Sequence, residues 1–192
     1  TALIDYECGN LHSALKAFEK MAAEMGAGDV VVTSDPDVVA RADRLGLPGD
    51  GAFPACRDAL IHSAIYDAMC DAVENKARPF MGICVGMQLM ATLGREFGDT
   101  PGFGFIPGDV EAIKPDDAGL KIPHMGWNSL SEVAEQHPVF AEIGAAEYFY
   151  FVHSYAVFTD DDELIIATTN YSEEFVSIIG KNNICGVQLD PE

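Results

Sequence analysis

Apolar residues in the first half of the chain come in short continuous runs, each followed by a stretch where they recur every three or four positions. ALIDY (2–6) reads as a strand. Asn10 then stands at a helix N-cap, with Leu11, Ala14, Leu15, Phe18, Met21, Ala22 and Met25 along one face and Gly26 as the stop. VVVT (30–33) predicts a second strand, with a short helix after Pro36. LGLPG (45–49) predicts a third strand, weakened by Gly46. A long helix is predicted over 55–75, a fourth strand over FMGIC (80–84) and a helix over 85–93. Continuous apolar strands separated by amphipathic helices imply a mostly parallel sheet with helices on both faces, an α/β fold.

The second half has a different rhythm. DVEAI (109–113), YFYFVHSYAVF (148–158), ELIIATT (163–169), FVSIIG (175–180) and ICGVQL (184–189) are strand-like and mostly joined by short turns, so antiparallel strands are expected to extend the sheet. No repeat, low-complexity tract or linker divides the chain, and its 192 residues suit a single domain over 1–192.

Charge narrows the possible partners. Thirty-one acidic against 11 basic side chains give a net charge of −20, which argues against a nucleic-acid surface. A heavily solvated surface explains such acidity, and a basic partner surface is the sharper alternative. No apolar run reaches the roughly 20 residues of a membrane span. TALIDYECGN carries no signal-peptide pattern, so a cytoplasmic protein with no membrane contact is expected. Five scattered cysteines without CxxC pairing form neither a disulfide framework nor a zinc site. Cys56 and Cys70 read as core thiols.

Cys84 stands apart. Gly82-Ile83-Cys84-Val85-Gly86 is a G-x-C-x-G turn between a buried strand and a helix, the elbow that holds a nucleophile up on strained backbone. The flanking glycines allow close backbone approach. The helix N-terminus is expected to lower the thiol pKa, and the Val85 N–H to receive an oxyanion. The bland alternative is a buried cysteine that happens to lie between glycines. LPGDGAF (47–53) is a second glycine-rich turn, able to offer the N–H of Asp50 or Gly51 to the same oxyanion. On its own it is only a turn.

GICVGMQLM resembles the nucleophile elbow of the class I glutamine amidotransferases. DYECGNLHS (5–13), LPGDGAF (47–53), KIPHMGWN (121–128), YFVHSY (150–155) and GVQLDPE (186–192) narrow the resemblance to the glutaminase subunits of imidazole glycerol phosphate synthase. It implies a class I glutamine amidotransferase-like, flavodoxin-like fold. It further implies that Cys84 attacks the side-chain amide of glutamine, and that ammonia from the thioester step passes to a cyclase subunit in a heterodimer of histidine biosynthesis. Under this resemblance Asp50, Gly51 and Val85 map to the oxyanion hole. Gln88, Glu96, His153, Ser154 and Tyr155 map to the glutamine pocket. His124, Trp127, Asn128 and Tyr150 map to the cyclase-facing surface. No metal or other cofactor is implied. Read without the family, KIPHMGWN is equally an exposed strand edge with a packed tryptophan.

The departure from the family lies at the catalytic end. Where it has Gln-Phe-His-Pro-Glu, with histidine as base and glutamate orienting it, this chain has Gln188-Leu189-Asp190-Pro191-Glu192. Asp190 takes the histidine position and Glu192 the glutamate position. A carboxylate with a reference pKa of about 3.9 is a weak base at neutral pH, and its charge raises a neighbouring thiol's pKa. His153 is the only other histidine that the resemblance places near the pocket; His12, His62 and His137 fall in or near helices. Taken as it stands, the chain stops where the family continues through Lys-Ser to a closing helix, so one cover of the sheet is expected to be missing. Two readings follow: a glutaminase impaired by Asp190, or a catalytically silent partner that binds the cyclase without hydrolysing glutamine. A different elbow-cysteine hydrolase or chaperone is supported by the elbow alone.

Overall fold

A computed structural model describes residues 1–117, 119–131, 133–134, 136–141, 143 and 147–190. The first half alternates as the pattern predicts: β1 (Ala2–Ile4), α1 (Leu11–Met25), β2 (Val31–Thr33), α2 (Pro36–Arg41), β3 (Leu45–Gly49), α3 (Phe53–Ile61), α4 (Ile65–Cys70), β4 (Phe80–Cys84) and α5 (Val85–Gln88). Asn10 caps α1, its side chain accepting the Ser13 N–H, and Gly26 closes the helix at φ 63°.

Two predicted helices are shorter than the pattern implies. The stretch 55–75 is split, because at Ser63 both the backbone N–H and the hydroxyl donate to the Leu60 carbonyl and close α3. After α4 the chain continues as a wide π-turn over Asp71–Asn75. The helix expected over 85–93 is the single turn of α5. Its continuation is prevented by the 102–106 segment, where the N–H groups of Phe103, Ile106 and Gly104 take the carbonyls of Leu89, Met90 and Ala91.

The remaining strands are β5 (Leu93–Gly94), β6 (Thr100–Pro101), β7 (Asp109–Ala112), β8 (His124–Ser129), β9 (Tyr148–His153), β10 (Tyr155–Phe158), β11 (Ile165–Asn170), β12 (Glu174–Lys181) and β13 (Ile184–Val187). Among the described residues the main sheet runs β2-β1-β3-β4-β13-β12-β10-β7-β5-β6, with β11 also on β12. From β2 to β13 the strands are parallel. Antiparallel pairing begins at β12, as the short turns of the second half imply. The apolar run 148–158 is two strands, since β9 pairs with β8 in a separate two-stranded sheet and β10 joins the main sheet after Ser154.

Among the described residues apolar side chains fill two clusters, and β4 divides its residues between them. Phe80 packs with Val39, Phe53, Leu60 and Met69 of the helices that follow β2 and β3. Met81 and Ile83 pack with Phe18, Phe151, Phe175 and Val187. Alternate residues of a strand face opposite sides, so a strand buried on both faces must be apolar throughout. Gly46 does not weaken β3, which pairs with β1 and β4 along a fully buried strand. A Cβ there would lie 2.6 Å from Leu3 Cδ2, so the glycine makes room for Leu3.

Candidate active site

β3, β4 and β13 are neighbours and end side by side, so their C-terminal residues and the turns after them meet at one edge of the sheet. Gly49 is the register partner of Cys84, and Val187 that of Ile83. Past these ends lie Asp50 and Gly51 on one side of Cys84, and Gln188 and Asp190 on the other. This is where an open parallel sheet binds ligands.

Cys84 has φ 54° and ψ −114°, a left-handed backbone seldom taken by a residue with a Cβ. Its neighbours must be glycine. A Cβ on Gly86 would run into the Leu47 carbonyl, and one on Gly82 would lie 2.6 Å from the Gly86 carbonyl oxygen. The elbow places the sulfur at a cavity of about 490 Å³. Cys84, Asp50, Gly51, Val85, Gln88, Glu96, His153, Ser154, Tyr155 and Asp190 all line it. Pro48, Gly49 and Gln188 lie there too. Pro191 and Glu192 fall outside the described residues.

The expected lowering of the thiol pKa is not found. Burial pushes the Cys84 thiol up to about 11, and the carboxylates of Asp190 and Asp50 push the same way. Hydrogen bonds from the Val85 N–H and the Gln188 amide favour the thiolate without offsetting these effects. With one turn of helix behind it, the sulfur has little macrodipole to draw on. Among the described residues the cavity lining contains three carboxylates (Asp50, Glu96, Asp190) and no Lys or Arg. Such a wall favours a ligand with an ammonium group.

Polar side chains around the cavity hold one another in place. The Asp50 carboxylate accepts the Gly9 N–H at 3.0 Å, tying the loop after β1 to the turn after β3. The Asp50 carbonyl accepts the Cys56 thiol at 3.1 Å, so the Gly51 N–H of that trans peptide points away from Cys56. Glu96 accepts the Phe53 N–H at 2.7 Å, which caps the first turn of α3. Gln188, not singled out from the sequence, reaches the nucleophile: its amide N–H donates to Cys84 Sγ at 3.6 Å. Between the apolar Val187 and Leu189 it reads in the sequence as one more strand residue.

The residues mapped to a partner surface separate by strand alternation. Trp127 faces Tyr150 across β8 and β9, and Met125 faces Val152. Trp127, Met125, Tyr148 and Val152 are exposed, Trp127 at 69%. His124 and Asn128 lie on the opposite face, where His124 is only 3% exposed. His124 therefore cannot be a surface residue. It packs inward on Tyr171 and Phe151.

Nor is His153 a free base. Its Nδ1 hydrogen bonds to the Tyr155 carbonyl at 2.9 Å, and its Nε2 lies 3.1 Å from His124 Nδ1. A carbonyl only accepts, so His153 carries its proton on Nδ1 and its Nε2 lone pair is taken by His124. Burial drops both histidines to about 4, so both are neutral at pH 7. His62 bonds the Asp58 carbonyl at a helix end and His137 caps the Pro138–Phe140 turn, in keeping with their places in or near helices.

The model of the glutamine amidotransferase class-I family matches residues 61–192. The imidazole glycerol phosphate synthase subunit HisH of Ruegeria pomeroyi is 55% identical over all of this chain and 91% of its own length. The proteins of the same name from Cereibacter sphaeroides and Caulobacter vibrioides are 51% and 48% identical, again over the whole chain and 91% and 90% of theirs. Among solved structures, a glutamine amidotransferase superposes with a TM-score of 0.73 at 14% identity, covering 99% of this chain and 89% of its own. The glutaminase domain of Trypanosoma brucei CTPS with bound acivicin gives 0.69 at 16%, over 99% and 84%. These two likenesses speak for the fold alone. The elbow, the cavity it serves and the full-length relatives agree: this chain belongs to the class I glutamine amidotransferases, on the branch of the imidazole glycerol phosphate synthase HisH subunits.

Proposed function

We propose that the cavity binds glutamine and that Cys84 is its nucleophile, in a subunit that supplies ammonia to a cyclase. The observation that carries this reading is the left-handed Cys84 at a cavity whose described lining holds Asp50, Glu96 and Asp190. Glu96 pairs with the substrate's ammonium group, and Gln88 and Tyr155 line the same cavity. The Cys84 thiolate adds to the amide carbon, and the oxyanion takes the Val85 N–H, with the Asp50–Gly51 turn as the second contributor. The C–N bond then breaks, and the amine leaves as ammonia with the proton that the thiol gave up to solvent. Water adds to the thioester and the C–S bond breaks, giving glutamate, while a proton from that water restores the thiol.

Asp190 is the group closest in the chain to a base position, and it works against the first step. With the thiol at about 11, roughly one molecule in a few thousand holds a thiolate near pH 7.5. This favours low turnover in the isolated chain and gives a specific basis to the second reading, a silent partner that docks without hydrolysing. The exposed face of β8 and β9, with Trp127 and Tyr150 5.6 Å apart edge-to-face, is the docking surface under either reading. A heterodimer in the cytoplasm follows from this role.

Glutamate release from glutamine, measured for the parent, Cys84→Ala and Asp190→His with a cyclase and its ligand present, tests the proposal. Turnover in the parent, absent in Cys84→Ala, supports the glutaminase, and turnover in Asp190→His alone means that position 190 silences a sound scaffold. Background rates in all three, with the cyclase still bound, leave the silent partner. Absence of cyclase binding overturns both.

A further inference from the structure

Six hydrogen bonds join the inner face of the two-stranded sheet to the nucleophile without a break. Asn128 Nδ2 lies 3.4 Å from His124 Nε2, and His124 Nδ1 lies 3.1 Å from His153 Nε2. His153 Nδ1 lies 2.9 Å from the Tyr155 carbonyl, which also accepts Gln88 Nε2 at 3.0 Å. Gln88 Nε2 donates in turn to Gln188 Oε1 at 3.0 Å, and Gln188 Nε2 to Cys84 Sγ at 3.6 Å. Gln88, Gln188, His124 and His153 are each at most 5% exposed, so water is not an alternative partner.

The backbone carbonyl of Tyr155 decides the direction of every bond. Amides and imidazoles can reverse donor and acceptor by turning over or changing tautomer, but a carbonyl cannot. On one side it requires the proton on His153 Nδ1, hence a lone pair on Nε2, a proton on His124 Nδ1 and a donor from Asn128. On the other it requires the Gln88 amino group to face it. The second N–H of that group then requires Gln188 to offer its oxygen, which leaves the Gln188 amino group for the sulfur. Were Gln188 to turn over, an amide oxygen would face Sγ and oppose the thiolate instead of stabilising it.

We propose that His153, held in its tautomer by His124, is a positioning residue for the nucleophile: it pins the Tyr155 carbonyl, and through Gln88 keeps the Gln188 amide donating to the Cys84 sulfur. The proposal rests on Cys84 being the nucleophile and on nothing else in the functional reading. It also gives the partner-facing sheet a direct structural link to the sulfur, because β8 and β9 carry Trp127 and Tyr150 on one face and the two histidines on the other.

The experiment is the rate at which iodoacetamide alkylates Cys84 in the full chain between pH 7 and 10, followed on the Cys84 peptide with the Cys185 peptide as internal reference. It needs no glutamine turnover, so it can fail or succeed independently of the proposed glutaminase activity. His153→Phe keeps the ring against Phe175 and removes the donor. Gln88→Leu cuts the same carbonyl from the other side. His153→Asn restores an N–H near the Nδ1 position. Asp190, Asp50, Cys56 and Tyr6, the titratable neighbours of the sulfur from the strands and helix around it, are untouched in all three. His153→Phe and Gln88→Leu should slow Cys84 about 3- to 10-fold at pH 8, an upward displacement of about half to one pH unit in the profile. His153→Asn should return it to within about 2-fold of the parent. If His153→Phe does not fold, Gln88→Leu carries the test. A parent-like profile in Gln88→Leu overturns the proposal, as does a His153→Asn profile no faster than that of His153→Phe.

Discussion

The Asp190 N–H donates to the Tyr150 carbonyl at 2.9 Å, which fastens the strand end beside the nucleophile to the sheet that carries the exposed aromatic face. The same backbone bond keeps the Asp190 side chain at the cavity wall, where its charge raises the Cys84 thiol. Position 190 is thus set by the fold, and the chemistry there depends on which side chain occupies it.

Replacing Asp190 by His should lower the Cys84 pKa and raise glutaminase turnover about 10²- to 10⁴-fold, the usual contribution of a placed acid–base group. Asp190→Asn separates the two effects. It removes the charge without supplying a base, so its alkylation profile should move to lower pH while turnover stays near the parent's. Ammonia release and Cys84 alkylation, measured on the same samples, give both answers.

Acid should destabilise the protein through the buried histidines. Folded His124 and His153 titrate near 4 and unfolded histidine near 6.5, so between these values the unfolded chain binds more protons. Stability is therefore retained above about pH 6.5 and lost as pH falls towards 4, by up to about 1.4 kcal/mol per pH unit for each histidine. Urea midpoints between pH 7 and 4 should show this slope, and His124→Gln should flatten it.

Alkali should act through the buried thiols. Cys84 and Cys185 titrate near 11 in the folded chain, above the ordinary thiol value of about 8.5, so their contribution holds below that value and is lost as pH rises towards 11. Urea midpoints should fall from pH 9 upwards, and Cys185→Ala should weaken the fall without touching the elbow.

Two glycines should respond differently to alanine. In Gly82→Ala the new Cβ meets the Gly86 carbonyl, which is backbone and cannot turn aside, so a loss of about 3 kcal/mol or more is expected. In Gly46→Ala it meets only the end of Leu3, which can rotate, and about 1–2 kcal/mol suffices. Thermal melts of the two variants check the order.

Trp127→Ala should leave the melting temperature of the isolated chain nearly unchanged, because the indole is 69% exposed. If β8 and β9 form the docking surface, it should weaken cyclase binding by about 2 kcal/mol, close to 30-fold. Titration calorimetry with the cyclase measures this directly.

By itself the sequence determined the elements that local chemistry controls. Asn10 and Gly26 bound α1 in the structure as they do in the pattern, and the elbow could be read from Gly82, Cys84 and Gly86 because only glycine tolerates the backbone contacts there. The parallel half of the sheet followed from unbroken apolar strands. Other features depend on groups far apart in the chain, and no local pattern carries them. The 102–106 segment ends α5 by taking its carbonyls, and burial together with Asp50 and Asp190 raises a thiol that a helix terminus alone would lower. KIPHMGWN concealed a period-two strand with His124 inside and Trp127 outside, visible only once β9 supplied the other side of the pair. Gln188 was hidden for the same reason: its meaning lies in Cys84 and Gln88, each 100 or more residues away, and hydrogen bonds at that separation are decided by the packing of β4 against β13.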